Sequence, residues 1–284
     1  MPDHVTRPLL DGAELLQLYP TPTGPTQALR GVDVRIRTGT LTAITGPSGS
    51  GKSTLLAILA LRERPAGGTL RHRGAPVAAL TRRQLQRLRR RHVGYIAQRP
   101  AHGLFPQMSA RRQVEQAAWL RGVPIDPAVV LGEVDLADRA DALPAALSGG
   151  EQQRLAVAAA CLGPPDLVIA DEPTAELDDA TADLVLARLR WCAEQGAAVV
   201  LATHDARAVA VADAVLHLRH GVLSAEQHGA AARTAAIDGF GRVQLPEPAL
   251  ALFPDGRALV EVHTDHVRLV SPDRPASDGR TADD

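Results

Sequence analysis

Leu41-Thr42-Ala43-Ile44-Thr45-Gly46-Pro47-Ser48-Gly49-Ser50-Gly51-Lys52-Ser53-Thr54 is the segment that points most directly to an architecture. A short apolar run of strand length enters a glycine-rich turn, and the apolar residues of 55–61 follow with helical character. Glycines let successive main-chain N–H groups turn inward, forming an anion nest at a helix N-terminus. In Gly46-x-x-x-x-Gly51-Lys52-Ser53 the lysine is placed to reach the β- and γ-phosphates of a nucleoside triphosphate, and the Ser53 hydroxyl to bind Mg²⁺. Composition strengthens this. Lys+Arg total 31, Lys52 is the sole lysine, and asparagine is absent, a bias expected of a GC-rich genome. Where arginine replaces lysine throughout, a surviving lysine marks a place for a compact ammonium rather than a wide planar guanidinium.

Outward from the loop, short apolar runs alternate with helical stretches. Residues 32–36 alternate as a half-buried strand does, 93–97 form another strand pattern ending at Gln98, and 100–147 are helical and loop-rich, with several prolines. A helix over 151–161, a buried strand over 167–170, a helix over 179–194 and a strand over 197–202 follow, the last ending in Thr203-His204-Asp205. This order predicts an α/β fold with a mostly parallel sheet and its chemistry at the carboxyl edge. Asp171 and Glu172 stand at the end of the 167–170 strand, where one carboxylate can hold a metal ion and the other can orient or deprotonate water. Alone, an acidic pair after a strand is commonly a solvated loop. In Leu147-Ser148-Gly149-Gly150-Glu151-Gln152-Gln153-Arg154, Ser148 and Glu151 have the spacing of a capping box. The paired glycines there also leave free N–H groups and room for close approach by an anion.

That octapeptide resembles the signature of ABC transporter ATPases, and the remaining elements fall in that family's order. Gly46 to Thr54 is similar to its Walker A loop, Gln98 to its Q-loop residue, and 167–172 to its Walker B strand. Ala175-Glu176-Leu177-Asp178 is similar to its D-loop, and His204 stands at the switch histidine. The resemblance covers about residues 10–223. It implies a P-loop NTPase core with a β-subdomain and a helical subdomain over about 100–147, with ATP and Mg²⁺ as ligands. Tyr19 would stack on adenine, and Gly46, Pro47, Ser48, Gly49, Ser50, Gly51, Lys52, Ser53 and Thr54 would cradle the phosphates. Ser53, Gln98 and Asp171 would serve the metal, and Glu172, His204, Gln98 and Lys52 would carry catalysis. Ser148, Gly149 and Gly150 would bind the γ-phosphate held by a second copy, and Asp178 would link the two sites. The implied partners are a homodimer mate and a separate transmembrane permease, placing the chain in the cytoplasm against the inner face of the cell membrane. Tyr19-Pro20, Ala28-Leu29-Arg30-Gly31-Val32 and Arg89-Arg90-x-x-Val93-Gly94-Tyr95-Ile96 are similar to the lipoprotein-release, macrolide-exporter and cell-division subgroup. Gln113-Val114 departs from it, where many relatives have Asn-Val.

Composition sets bounds on the rest. The chain has 284 residues and a formal net charge of −1, which offers no global basic footprint for nucleic acid. Cys161 and Cys192 lack metal-site spacing and read as free thiols. No signal-peptide pattern opens the chain, and no apolar run approaches the roughly 18 residues needed to span a bilayer. The arginine-rich stretch 82–92 reads most simply as the solvated face of a surface helix. Residues 224–234 read as a linker and 271–284 as a disordered tail. Residues 235–270 resemble AbrB-like swapped-hairpin domains, through Ile237-Asp238-x-x-Gly241-Arg242-Val243-x-Leu245-Pro246 and a hairpin over 259–262 and 267–270. With few arginines and several acids, this small mainly-β segment suggests dimerisation or regulation, and DNA as a partner is disfavoured. A soluble regulator whose C-terminal segment binds DNA is the alternative reading.

Overall fold

The computed structural model describes residues 8–271 apart from 23, 164, 229–233, 236–242, 244, 246–248, 250, 254–256 and 265. β1 (Leu10–Thr21) and β2 (Gly24–Ile36) pair antiparallel. β2 is longer than the alternating 32–36 pattern, because the ladder to β1 continues back through residues 24–31, where Leu29 is fully buried. β3 (Leu41–Thr45) leads into α1 (Lys52–Leu59), followed by β4 (Gly67–His72) and β5 (Ala75–Pro76). β4 pairs with the other edge of β1, closing an antiparallel sheet of order β2-β1-β4-β5.

α2 (Arg82–His92) starts from a capping box between Thr81 and Gln84 and runs into β6 (Val93–Ile96). α3 (Ala110–Arg121) and α4 (Pro127–Gly132) are capped by Ser109 and Asp126. They pack with the residues leading into α5 (Gly149–Ala160) around Leu104, Val114, Leu131, Leu136 and Leu155. The loop-rich middle of the sequence therefore has an apolar cluster of its own. Its tether to the sheet is Arg121, whose guanidinium donates to the carbonyls of Ala159, Ala160 and Leu162 at the end of α5.

β7 (Leu167–Asp171), α6 (Asp179–Glu194), β8 (Ala198–Ala202), α7 (Ala206–Ala210), β9 (Ala214–Arg219) and β10 (Val222–His228) complete the large sheet together with β11 (Thr234–Ala235). Its order is β11-β10-β9-β3-β8-β7-β6, parallel from β9 to β6. β7 and β8 are buried at every residue, as parallel strands covered on both faces are. α1 and the antiparallel sheet cover one face, while α5 and α6 cover the other. Leu189 of α6 is fully buried in the second of these layers, and removing such a side chain costs about 2–5 kcal/mol. Cys161 and Cys192 lie there as buried free thiols.

The stretch 224–234, expected as a linker, is corrected at its start. β10 runs to His228 and pairs antiparallel with β9, with Leu223 and Ala225 buried. The small, alanine-rich composition hid a period-two pattern that shows only at Leu223 and Ala225. The C-terminal hairpin forms as expected: β12 (Leu259–Val262) pairs antiparallel with β13 (Val267–Val270). Leu259, Val260, Val262 and Val267 stay exposed, so the pair buries no core of its own. The residues 237, 238, 241, 242 and 246 of the swapped-hairpin resemblance lie outside the described residues, as does 272–284 of the expected tail.

A candidate nucleotide site at the carboxyl edge of the sheet

Among the described residues, six of the seven α-helices begin with a side-chain cap: Thr81, Ser109, Asp126, Ser148, Asp178 and Asp205. α1 has none. Its N-cap is Gly51 in the left-handed conformation, so the first amides of the helix are not met by a side-chain acceptor. The loop depends on glycine at two points. A Cβ on Gly46 (φ 151°) would strike the Leu218 carbonyl, and one on Gly51 (φ 103°) would stand 2.5 Å from the Ala28 carbonyl oxygen. Lys52 Nζ donates to the carbonyls of Gly46 at 2.7 Å and Pro47 at 3.2 Å, which holds the ammonium inside the curve of the loop.

A cavity of about 680 Å³ opens over this loop. Tyr19, Gly46, Pro47, Ser48, Gly49, Gly51, Lys52, Ser53, Thr54, Gln98, Asp171, Glu172 and His204 all line it, together with Ala28. Ser50 does not. Its hydroxyl is buried without a hydrogen-bond partner, so any contribution to the cradle is through its main chain. Tyr19 is fixed from behind, its hydroxyl donating to Glu63 Oε2 at 2.6 Å, which leaves the ring at the cavity wall. Sequence reasoning missed Glu63, an ordinary acid in Leu61-Arg62-Glu63-Arg64, and took Ala28 only as part of a subgroup motif, not as a residue of the site.

At the strand ends, burial raises the pKa of Asp171, partly offset by a hydrogen bond from Ser53 and the charge of Lys52. Ser53, Asp171 and Gln98 all line the cavity as hard oxygen donors, a set that suits Mg²⁺ held jointly with phosphate and water. No group of three or more His, Cys, Asp or Glu among the described residues could hold an ion alone. Glu172 has φ 48°, a conformation uncommon outside glycine, and its N–H donates to the Ala202 carbonyl of the neighbouring strand. Its Oε2 lies 2.9 Å from Nδ1 of His204. The Glu172 side chain is 13% exposed and that of His204 is 77% exposed, so the carboxylate is sheltered and the imidazole reaches outward.

Asp171→Asn should separate stability from activity. A carboxylate whose pKa is raised by folding destabilises the fold once pH exceeds its unfolded value, and protonation relieves this. Without metal or nucleotide, the asparagine variant should melt above the parent at neutral pH and converge with it in acid, while hydrolysis is lost. A lower melting temperature at neutral pH would contradict the placement.

Ser148, Gly149, Gly150 and Asp178 do not line this cavity. Ser148 and Glu151 form the expected capping box, at 2.7 and 3.2 Å, and these bonds hold the Glu151 pKa down. A Cβ on Gly149 would meet open space, whereas one on Gly150 would pack against Thr181 and Leu177. Asp178 caps α6, accepting from the N–H and hydroxyl of Thr181 at 2.9 and 2.8 Å, and its pKa is lowered by those bonds. The signature helix and the turn before α6 therefore abut each other on a surface apart from the phosphate loop.

A family model described as ABC transporter matches residues 29–175. The chain belongs to that family. The cassette is 41% identical over 203 residues to a lipoprotein-releasing system ATP-binding protein LolD of Paramagnetospirillum magneticum, covering 69% of this chain and 89% of the relative. It is 36% identical over 219 residues to a macrolide export ATP-binding/permease protein MacB of Escherichia coli K12, covering 75% of this chain and 34% of the relative. It thus spans about a third of that longer protein's length. A dimeric post-hydrolysis ATP-binding cassette MJ0796, bound to ADP and Pi, superposes with TM-score 0.71 at 28% identity, covering 77% of this chain and 98% of the other. The cassette is an ATP-binding, ATP-hydrolysing subunit with an α/β P-loop NTPase fold and a small β-rich C-terminal region. No helix of the described residues is long and apolar enough to cross a membrane.

Proposed function

We propose that two copies of this cassette close head-to-tail around two ATP molecules, and that closure drives a separate transmembrane permease at the inner face of the cell membrane. The observation that carries this reading is the separation of Ser148, Gly149 and Gly150 from the cavity holding Lys52 and Glu172. A signature that cannot reach its own nucleotide is free to complete another's. The dimeric MJ0796 cassette and the export and release systems named for the relatives support the same reading.

In this reading the inward-turned amides and Lys52 hold the phosphates, and Tyr19 stacks on the base. Glu172 takes a proton from the attacking water as its oxygen bonds to the γ-phosphorus and the bond to the bridging oxygen breaks. His204, within 2.9 Å of Glu172, positions that carboxylate and contacts the γ-phosphate. Ser148 and Gly150 of the second copy stabilise the charge from the far side, and Asp178 couples the two sites. Ser53, Asp171 and Gln98 would hold Mg²⁺, which supplies charge neutralisation on the phosphate oxygens. Hydrolysis removes the group bound from both sides, so the closed dimer loses its differential advantage and opens.

The permease is tested by producing the cassette together with any multi-spanning protein that the adjacent open reading frames encode. Copurification in detergent, with a hydrolysis rate raised by the permease, is the expected result. A cassette that purifies alone and hydrolyses ATP at an unchanged rate would contradict it.

A further inference from the structure

We propose that the outer face of α2 binds the anionic headgroup layer of the membrane directly, independently of any permease. Arg82, Arg83, Arg87, Arg90 and Arg91 are all exposed, while Leu85, Leu88 and Arg89 lie on the inward side. Positions 83, 87, 90 and 91 share one stripe of a helix about 16 Å long. None of these five guanidinium groups has a carboxylate partner among the described residues. Several arginines elsewhere do have one: Arg35 pairs with Asp11, Arg112 with Glu115, Arg190 with Asp213 and Arg207 with Asp179.

The sequence around the helix sharpens the contrast. Between residues 64 and 114 there are twelve arginines and no aspartate or glutamate, in a chain whose net charge is −1. Codon bias explains arginine in place of lysine, but not the missing acids. In the fold Arg73, Arg111 and Arg112 of this window meet acids from outside it, whereas the α2 stripe stays unanswered and suits an anionic partner. The face offers that partner charge and little else, since the stripe holds no exposed apolar or aromatic residue. Protein interfaces bury an apolar core and are depleted of charge at their centre, which a stripe of arginines does not match, although Arg90 at its edge borders a cavity shared with Phe105. A headgroup layer needs no such core: planar guanidinium groups engage phosphodiesters in paired hydrogen bonds, and each basic residue near an anionic surface adds to the attraction. Membership of a transporter family gives the chain occasion to meet a membrane.

The test is sedimentation of the full-length chain with vesicles of phosphatidylcholine alone or with about one-third phosphatidylglycerol, the charge that such a stripe would sense. Arg83→Gln/Arg87→Gln/Arg91→Gln is compared with a control, Arg35→Gln/Arg37→Gln, that removes arginines elsewhere. The parent and the control should bind the anionic vesicles, release at high salt and ignore neutral ones. The triple variant should bind at least about tenfold more weakly with unchanged ATP hydrolysis in solution. Equal binding by parent and triple variant, or no binding by either, would overturn the proposal. So would duplex DNA or inorganic phosphate displacing the chain from vesicles at matched phosphate concentration, which would assign the stripe to a soluble phosphate ligand.

Discussion

Glu172→Gln should lower steady-state ATP hydrolysis by about 10²–10⁴-fold, the range expected when a positioned general base is removed, while leaving ATP binding intact. The amide keeps the size of the carboxylate and a carbonyl oxygen for the contact now 2.9 Å from His204 Nδ1, but it cannot take up a proton. The Glu172 N–H bond to Ala202 is a main-chain contact and survives, so the left-handed backbone at this position is unchanged. Phosphate release and retained nucleotide are the paired readouts. Loss of both together would mean that the side chain supports the fold of the site rather than the chemistry.

The second large effect is at Lys52. Lys52→Ala should weaken ATP binding by about two orders of magnitude or more, because a charge beside phosphate in a sheltered site is worth several kcal/mol. Lys52→Arg should recover little of it, although both residues carry one positive charge. The ammonium sits within the loop on the carbonyls of Gly46 and Pro47, and a planar fork of five donors cannot occupy that space without opening the loop. Titration with a fluorescent ATP analogue distinguishes the three proteins. Full binding by the arginine variant would show that only charge matters here, and that the sole lysine is an accident of composition.

Most of the site was legible because its residues lie at strand ends and in a glycine loop, where local pattern and function coincide. Residues 41–61 predicted the strand, the loop and the helix after it, while the missing side-chain cap was seen only in the fold. Asp171, Glu172 and His204 became meaningful once two buried strands were read ending beside each other. Tyr19 was found as an aromatic in a chain with few, but its anchor Glu63 was invisible, because a pairing 44 residues apart leaves no periodic trace. Ser50 was read with its loop neighbours, though its side chain turns into the core. β10 was lost to composition, since Ser224-Ala225 looks like linker until Leu223 and Ala225 are seen packed against the sheet. The basic stripe of α2 was visible as a run of arginines. That no acid answers it became clear only when the other ion pairs were placed.

In the proposed cycle a single copy holds nucleotide but completes its site only with a second. Light scattering of Glu172→Gln with and without saturating Mg²⁺ and ATP tests it directly. A monomer without nucleotide that becomes a dimer on adding ATP, and stays monomeric when Ser148→Arg is added to the same chain, is the predicted result. A Glu172→Gln protein that binds ATP yet remains monomeric at saturation would contradict it.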